Sequence, residues 1–323
     1  MLQNAFEFGK KLNEEVSKVV IGKADRIRLI TAAILADGHI LLEDLPGVGK
    51  TTLVKSLALA LGCEFRRIQF TPDLLPSDVT GMNIFDRQTG QFRRLSGPVM
   101  TNLLLADELN RAIPRTQSAL LEAMEEKQVT LDGETEKLPE PFVVLATQNP
   151  VESESTFRLP AAQTDRFLMC LSMGYPTAEE EMEMLRVTGG EIPFAAVNAI
   201  TGPEEVCRLQ KEVQGVLVSD SVMAYIVALT EATRNHSGLR LGASPRASRA
   251  LYRVGKAYAA VMGRDFVTPD DIRALAVPVL CHRLVLSTEA VMAGRRPEEV
   301  LEEILNSVPV PPVKEKLFEN ANG

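Results

Sequence analysis

Short, wholly apolar runs alternate along this chain with longer segments whose apolar residues return every three or four positions. That contrast predicts a buried parallel sheet flanked by helices. Helical spacing opens the chain over 6–19 and, through Ile27, Ile30 and Ile34, over 24–36, with Val20-Ile21-Gly22 as the break. Ile40-Leu41-Leu42-Glu43 reads as a strand that passes through Asp44-Leu45-Pro46-Gly47-Val48-Gly49-Lys50-Thr51-Thr52 into a helix carrying Leu53, Val54, Leu57, Ala58 and Leu61. Further strands are expected over 64–70, 102–108, 142–147 and 167–172, and a helix over 114–126. Two hairpins interrupt this rhythm, one over 81–95 turning at 86–90, the other over 128–138 about Asp132-Gly133, a strong hairpin turn pair. The first stands where a crossover helix would join two parallel strands, so it reads as an insertion and as a surface for touching a substrate.

From Tyr175-Pro176 onward only helical patterns follow, near 178–187, 203–213, 219–234, 245–261, 269–280 and 297–305. Their starts are well marked. Thr268-Pro269-Asp270-Asp271 combines a cap residue, a proline at the first helical position and acids in the first turn, and Ser244-Pro245 and Ser219-Asp220 repeat parts of it. The change of character suggests a mixed α/β domain over 1–174, an all-helical domain over 175–307 and a Pro-rich tail over 308–323 that reads as extended or disordered. A length of 323 residues agrees with two domains of about 150 residues each.

Composition narrows the partners. A net charge of −8, from 35 basic and 43 acidic residues, gives no general electrostatic reason to expect nucleic acid. The four cysteines form no C-x-x-C pair and read as reduced, mostly buried thiols; Cys281-His282 has no second ligand pair at zinc spacing. The first fifteen residues are too charged for a secretory segment, and no run of about 18 apolar residues exists. A cytoplasmic chain without a membrane span is expected.

The chemistry centres on the loop over 44–52. Backbone N–H groups from Gly47 to Thr51 would point outward from a helix N-terminus, where the dipole favours an anion, and the two glycines let the loop approach a phosphate. Lys50 would then reach the β- and γ-phosphates, and the Thr51 hydroxyl would ligate Mg²⁺. The pattern G-x-x-x-x-G-K-[ST] is met except at Asp44, where it asks for glycine. Asp107 and Glu108 end a buried strand at the edge where open α/β sheets hold ligands. Asp107 would hold Mg²⁺ through its water shell or Thr51, and Glu108 would polarise the attacking water; an acidic helix cap would also explain the pair. Asn149, at the end of the next apolar run, would orient that water or merely turn the chain. Arg166 suits stabilisation of a neighbouring subunit's γ-phosphate, although an arginine in an acidic protein is more often a solvated surface charge. Arg246 lies in the first turn of its helix, where a cation opposes the dipole, so a nearby anion or a surface salt bridge is expected. Val20-Ile21-Gly22 is either an adenine contact or a simple interhelical turn.

Taken together, these residues resemble the AAA+ ATPases and, more narrowly, the MoxR family, over nearly the whole chain. The resemblance rests on the loop over 43–51, on Ile68-Gln69-Phe70-Thr71-Pro72-Asp73-Leu74-Leu75-Pro76-Ser77-Asp78, and on Ala106-Asp107-Glu108-Leu109-Asn110-Arg111. Ala146-Thr147-Gln148-Asn149-Pro150, Gln163-Thr164-Asp165-Arg166-Phe167 and Gly242-Ala243-Ser244-Pro245-Arg246 complete it. Asp44 in place of the first glycine belongs to the same family pattern. The resemblance implies a P-loop domain with a five-stranded parallel sheet and two hairpin insertions, followed by an all-α lid. It implies Lys50 and Thr51 as Walker A residues, Asp107 and Glu108 as Walker B, Asn149 as sensor 1, Arg166 as the arginine finger and Arg246 as sensor 2, with Val20 to Gly22 against adenine. Thr156-Phe157-Arg158 departs from the pattern and leaves open whether Arg158 or Arg166 acts across an interface. ATP and Mg²⁺ as cofactors, a hexameric ring and a chaperone-like role in maturing a client protein or its metal centre follow from the same resemblance. A partner with a von Willebrand A domain is implied as well. The rival readings are a nucleic-acid motor of the same AAA+ branch and a nucleotide-binding scaffold without turnover.

Overall fold

In the computed structural model, residues 3–44, 47–88, 90–149, 157, 159–188 and 192–311 are described. Two helices, α1 (Gln3–Ser17) and α2 (Ala24–Leu35), precede β1 (Ile40–Glu43), and α3 (Lys50–Leu61) leads to β2 (Phe65–Gln69). A short helix, α4 (Pro76–Thr80), opens the first hairpin, β3 (Gly81–Asp86) with β4 (Gln91–Ser96). Strand β5 (Leu103–Asp107) turns into α5 (Pro114–Glu126), and the second hairpin, β6 (Gln128–Leu131) with β7 (Glu134–Lys137), precedes β8 (Val143–Gln148). One helical turn, α6 (Ala161–Thr164), introduces β9 (Met169–Leu171). The rest is α7 (Ala178–Thr188), α8 (Pro203–Glu212), α9 (Asp220–Asn235), β10 (Leu239–Leu241), α10 (Pro245–Val261), α11 (Pro269–Leu280), β11 (Val285–Leu286), α12 (Thr288–Met292) and α13 (Pro297–Ser307).

Five strands form one parallel sheet in the order β2-β5-β8-β1-β9. Alternate residues feed opposite faces, as the period of two demands. Ile40, Leu42, Leu103, Leu105, Val143 and Leu145 join one apolar cluster, whereas Leu41, Leu104, Val144 and Ala146 join the other. Both faces are therefore covered, which explains why these strands read as continuous apolar runs instead of alternating ones. Helix α5 closes the second face through Leu120, Leu121 and Met124. The first face packs on α1, α2 and α3, and its cluster continues without a break into Leu251, Val254, Ile272 and Leu301 of the C-terminal helices. Helix α10 is the junction, packed on α1, α2, α9 and α11.

Polar contacts fix the same junction. The buried Arg283 donates from Nε to Asp165 Oδ1 at 2.7 Å and from Nη2 to the Phe167 carbonyl at 2.6 Å. Ser244, the N-cap of α10, donates to the other Asp165 oxygen at 2.9 Å. Removing one partner of such a buried pair leaves an uncompensated charge, a loss of about 3–5 kcal/mol.

Most expected elements are present within one or two residues of their predicted bounds, both hairpins included. One feature differs. The C-terminal region is helical but also carries a two-stranded antiparallel ribbon, β10 with β11, so helices are not its only elements. The four cysteines are free and largely buried, as expected, and desolvation pushes their thiols up, to about 11 for Cys63 and about 12 for Cys281. Among the described residues no helix is long and apolar enough to cross a membrane.

Candidate active site

Because all five strands run parallel, the segments leaving β1, β5 and β8 emerge at one edge of the sheet, and there they enclose a cavity of about 350 Å³. Gly47, Gly49, Lys50, Thr51, Thr52, Arg67, Asp107, Glu108, Thr147 and Asn149 line it. Gly47 (φ 87°) and Gly49 (φ 82°) adopt the left-handed conformation that only glycine enters freely, and a Cβ on either would meet nothing within 4 Å. The loop therefore borders open space. Gly49 caps α3 without a side-chain acceptor, so the first amides of a twelve-residue helix face the cavity and can receive an anion. Lys50 Nζ donates to the Asp44 carbonyl at 3.0 Å.

Asp44 itself explains the departure from the glycine pattern. Its buried carboxylate accepts from Ser172 Oγ at 2.7 Å, Met173 N at 2.8 Å and Gly174 N at 3.0 Å. A glycine at this position would leave those three donors without an acceptor, so the acid ties the root of the phosphate loop to the segment leaving β9.

The two neighbouring acids are presented by a sharp turn. Glu108 has φ 55° and ψ 47°, a left-handed conformation uncommon for a residue with a side chain and typical of functional sites. Thr147 holds both acids in register: its hydroxyl donates to Asp107 Oδ1 at 2.6 Å and accepts from the Glu108 amide at 2.8 Å. Asp107 Oδ2 receives Arg67, with Nη2 at 2.7 Å, and Glu108 Oε2 receives Arg111 Nη1 at 2.9 Å. Asn110 bonds to the Asn149 carbonyl at 3.4 Å, which links the loop after β5 to the end of β8.

Arg166 and Arg246 lie elsewhere. Both line a second cavity of about 330 Å³, with Asp37, Gly38 and His39 ahead of β1 and with Arg249 and Arg253 from α10. This cavity sits at the opposite edge of the sheet, because Leu168 bonds to His39 and Met169 pairs with Ile40 at the start of β1. The two arginines converge on one carboxylate: Arg166 Nη1 is 3.0 Å from Glu125 Oε2, and Arg246 Nη2 is 2.7 Å from Glu125 Oε1. Of the two expectations for Arg246, the surface salt bridge is the one present, to the exposed Glu125, and neither arginine lines its own chain's phosphate cavity.

Val20-Ile21-Gly22 forms the turn between α1 and α2. Val20 packs on the same apolar cluster as Val48 of the loop, and Gly22 (φ 75°) leaves room for the Glu180 carboxylate of α7. None of the three lines the phosphate cavity. Pro46 and Arg158 lie outside the described residues.

A divalent cation fits this donor set. Magnesium takes oxygen ligands, usually one or two from protein, with waters and substrate phosphates completing an octahedron. Thr51 and Asp107 supply a hydroxyl and a carboxylate beside the glycine-lined space. Among the described residues there is no cluster of three or more His, Cys, Asp or Glu to hold a metal without substrate.

Three site residues escape sequence reasoning: Arg67, Arg111 and Thr147. Thr147 alone leaves a signal, a hydroxyl ending an otherwise apolar run. The other two read as ordinary surface charges.

The fold and this constellation define a P-loop ATPase domain carrying a helical lid. The family model described as ATPase family associated with various cellular activities (AAA) matches residues 39–169, and the AAA lid domain model matches 231–304. The chain is 41% identical to chaperone MoxR1 of Mycobacterium tuberculosis over 308 residues, covering 93% of this chain and 81% of that protein. It is 33% identical to protein MoxR of Methylorubrum extorquens, covering 96% and 97%. A crystal structure of a Cytophaga hutchinsonii protein assigned as an ATPase superposes with a TM-score of 0.90 at 41% identity, covering 96% of this chain and 97% of that one. The chain belongs to the MoxR family of AAA+ ATPases.

Proposed function

We propose that this protein hydrolyses ATP at composite sites formed between adjacent copies of itself in a closed ring, six copies in the family's usual arrangement. The observation that supports the reading is the division of the parts between two edges of one sheet. The phosphate loop, both acids and Asn149 share the cavity at one edge, whereas Arg166 and Arg246 converge at the other. A head-to-tail contact would bring the second edge of one copy onto the first edge of the next and close into a ring.

In that arrangement the amides of 47–52 and Lys50 hold the phosphates, with Pro46 completing the loop and Val20 to Gly22 flanking adenine. Thr51 and Asp107 hold Mg²⁺, which when bound neutralises charge on the β- and γ-oxygens. Glu108 accepts a proton from water aligned by Asn149 for in-line attack on the γ-phosphate. Arg166 and Arg246 of the next copy stabilise the charge that spreads over the transferring group. That both guanidiniums reach the two oxygens of a single carboxylate supports their acting together on two oxygens of one phosphoryl group. Arg246 then serves the neighbour's nucleotide, not its own.

Turnover would be spent on remodelling a client protein. The chaperone name of the mycobacterial relative supports this coarser role; maturation of a metal centre, a von Willebrand A partner and a cytoplasmic location are its finer extensions. Phosphate release measured across a range of protein concentrations tests the proposal. Specific activity should rise steeply as copies assemble in ATP and Mg²⁺, and a rate per subunit independent of concentration, from a chain that stays monomeric, would overturn it.

A further inference from the structure

The carboxylate of Asp107 has a hydrogen-bond partner on each oxygen, and its cationic partner comes from an unexpected strand. In the β2–β5 register Arg67 is opposite Leu105 and Gln69 is opposite Asp107, so Arg67 and Asp107 stand two residues apart on the same face. Both Nε and Nη2 of Arg67 donate to Asp107 Oδ2, at 3.2 and 2.7 Å, while Nη2 also reaches Gln69 Oε1 at 2.7 Å. The other oxygen, Oδ1, takes the Thr147 hydroxyl at 2.6 Å. A buried hydroxyl is thus on one oxygen and a partly exposed guanidinium on the other. Thr147 belongs to a buried strand, whereas the Arg67 side chain is 46% exposed and lines the phosphate cavity.

A guanidinium and a hydrated divalent cation make the same demand on a carboxylate, the lone pairs of a negatively charged oxygen. They cannot both hold Oδ2 at full strength. We propose that Arg67 is a positioning residue that keeps Asp107 aimed into the cavity and competes with Mg²⁺ for it, so that Arg67 sets the Mg²⁺ concentration at which nucleotide binds. The inference rests on the reading of Asp107 as the acid that holds the metal.

The test is equilibrium binding of a fluorescent ADP analogue to chelator-treated protein as Mg²⁺ is added, comparing wild type with Arg67→Gln, Arg67→Lys and Asp107→Asn. Loss of a charge-assisted pair should lower the half-saturating Mg²⁺ concentration roughly fivefold in Arg67→Gln. Arg67→Lys, which keeps the charge but not the two-nitrogen grip, should fall between it and wild type and provides the same test should the glutamine variant not fold. An unchanged or raised half-saturation in both Arg67 variants, with Asp107→Asn losing its Mg²⁺ dependence, overturns the competition while leaving the metal assignment standing. An Asp107→Asn protein that keeps the wild-type Mg²⁺ dependence instead overturns the assignment itself, and the proposal with it.

Discussion

Mixing two individually dead variants gives the sharpest test of the shared site. The cavity holding Arg166 and Arg246 is lined by residues 37–39, ahead of β1, and the phosphate cavity by residues from Gly47 onward, beyond its far end. The four residues of β1, rising about 3.3 Å each, put roughly 13 Å of strand between the two edges. An arginine tied to Glu125 and the Leu121 carbonyl at one edge does not serve a phosphate at the other within the same chain. Arg166→Ala should therefore lose turnover by about 10³-fold or more, the usual worth of a trans-acting arginine, and Lys50→Ala should lose it by failing to hold nucleotide. In a one-to-one mixture, about a quarter of head-to-tail interfaces pair an intact phosphate loop with an intact arginine, so about a quarter of wild-type activity should return. Phosphate release is the assay, with differently tagged variants so that mixed assembly is verified by co-purification. Co-assembled mixtures no more active than the two variants measured separately would refute a site divided between copies.

Glu108→Gln should retain ATP in a filter-binding or fluorescence assay while turnover drops about 10²-fold or more, because amide replaces the proton acceptor; turnover near wild type would remove Glu108 from that role. Asp44→Ala strands the buried Met173 amide and frees the more exposed Ser172 hydroxyl and Gly174 amide to water, so it should lower unfolding free energy by about 1–3 kcal/mol in a denaturant titration, with weaker nucleotide binding as the loop loses its anchor; a change under about 0.5 kcal/mol would refute the anchoring. His39 is buried and neutral, its Nε2 facing the Met124 carbonyl at 3.1 Å and its Nδ1 accepting from the Val144 amide at 3.1 Å. Burial pulls its pKa down from 6.5 to about 4, so its contribution to stability is fully present above pH 6.5 and is lost as pH falls towards 4. The whole interval is worth about 3 kcal/mol, and a His39→Gln protein should show a correspondingly flatter dependence of unfolding free energy on pH.

Legibility followed range along the chain. The strands, the long helices, both hairpins and the phosphate loop could be read directly, because periodicities of two and 3.6, turn pairs such as Asp132-Gly133, and glycines beside a helix start are local properties. Helix α4 and the β10–β11 ribbon are not legible in this way, because five residues and strands of three and two show no period, and neither is a bounded apolar run like the equally short core strands. Within the site, the acids ending β5 announced themselves through an apolar run broken by charge. Their partners did not, since Arg67 and Thr147 each lie 40 residues from Asp107 and look ordinary in their own surroundings.

The amino-acid sequence by itself determined which groups this protein has for phosphate chemistry and on which kind of element each stands, since loop, strand end and helix start are set by neighbours within a few positions. Only the tertiary structure decided their distribution: the loop and acids at one edge of the sheet, Arg166 and Arg246 drawn onto Glu125 at the other, and Asp44 tied to residues 172–174. The physical reason is that strand order and the docking of α10 on α2 are settled by burying apolar faces from distant parts of the chain, a collective balance that no short stretch of residues carries.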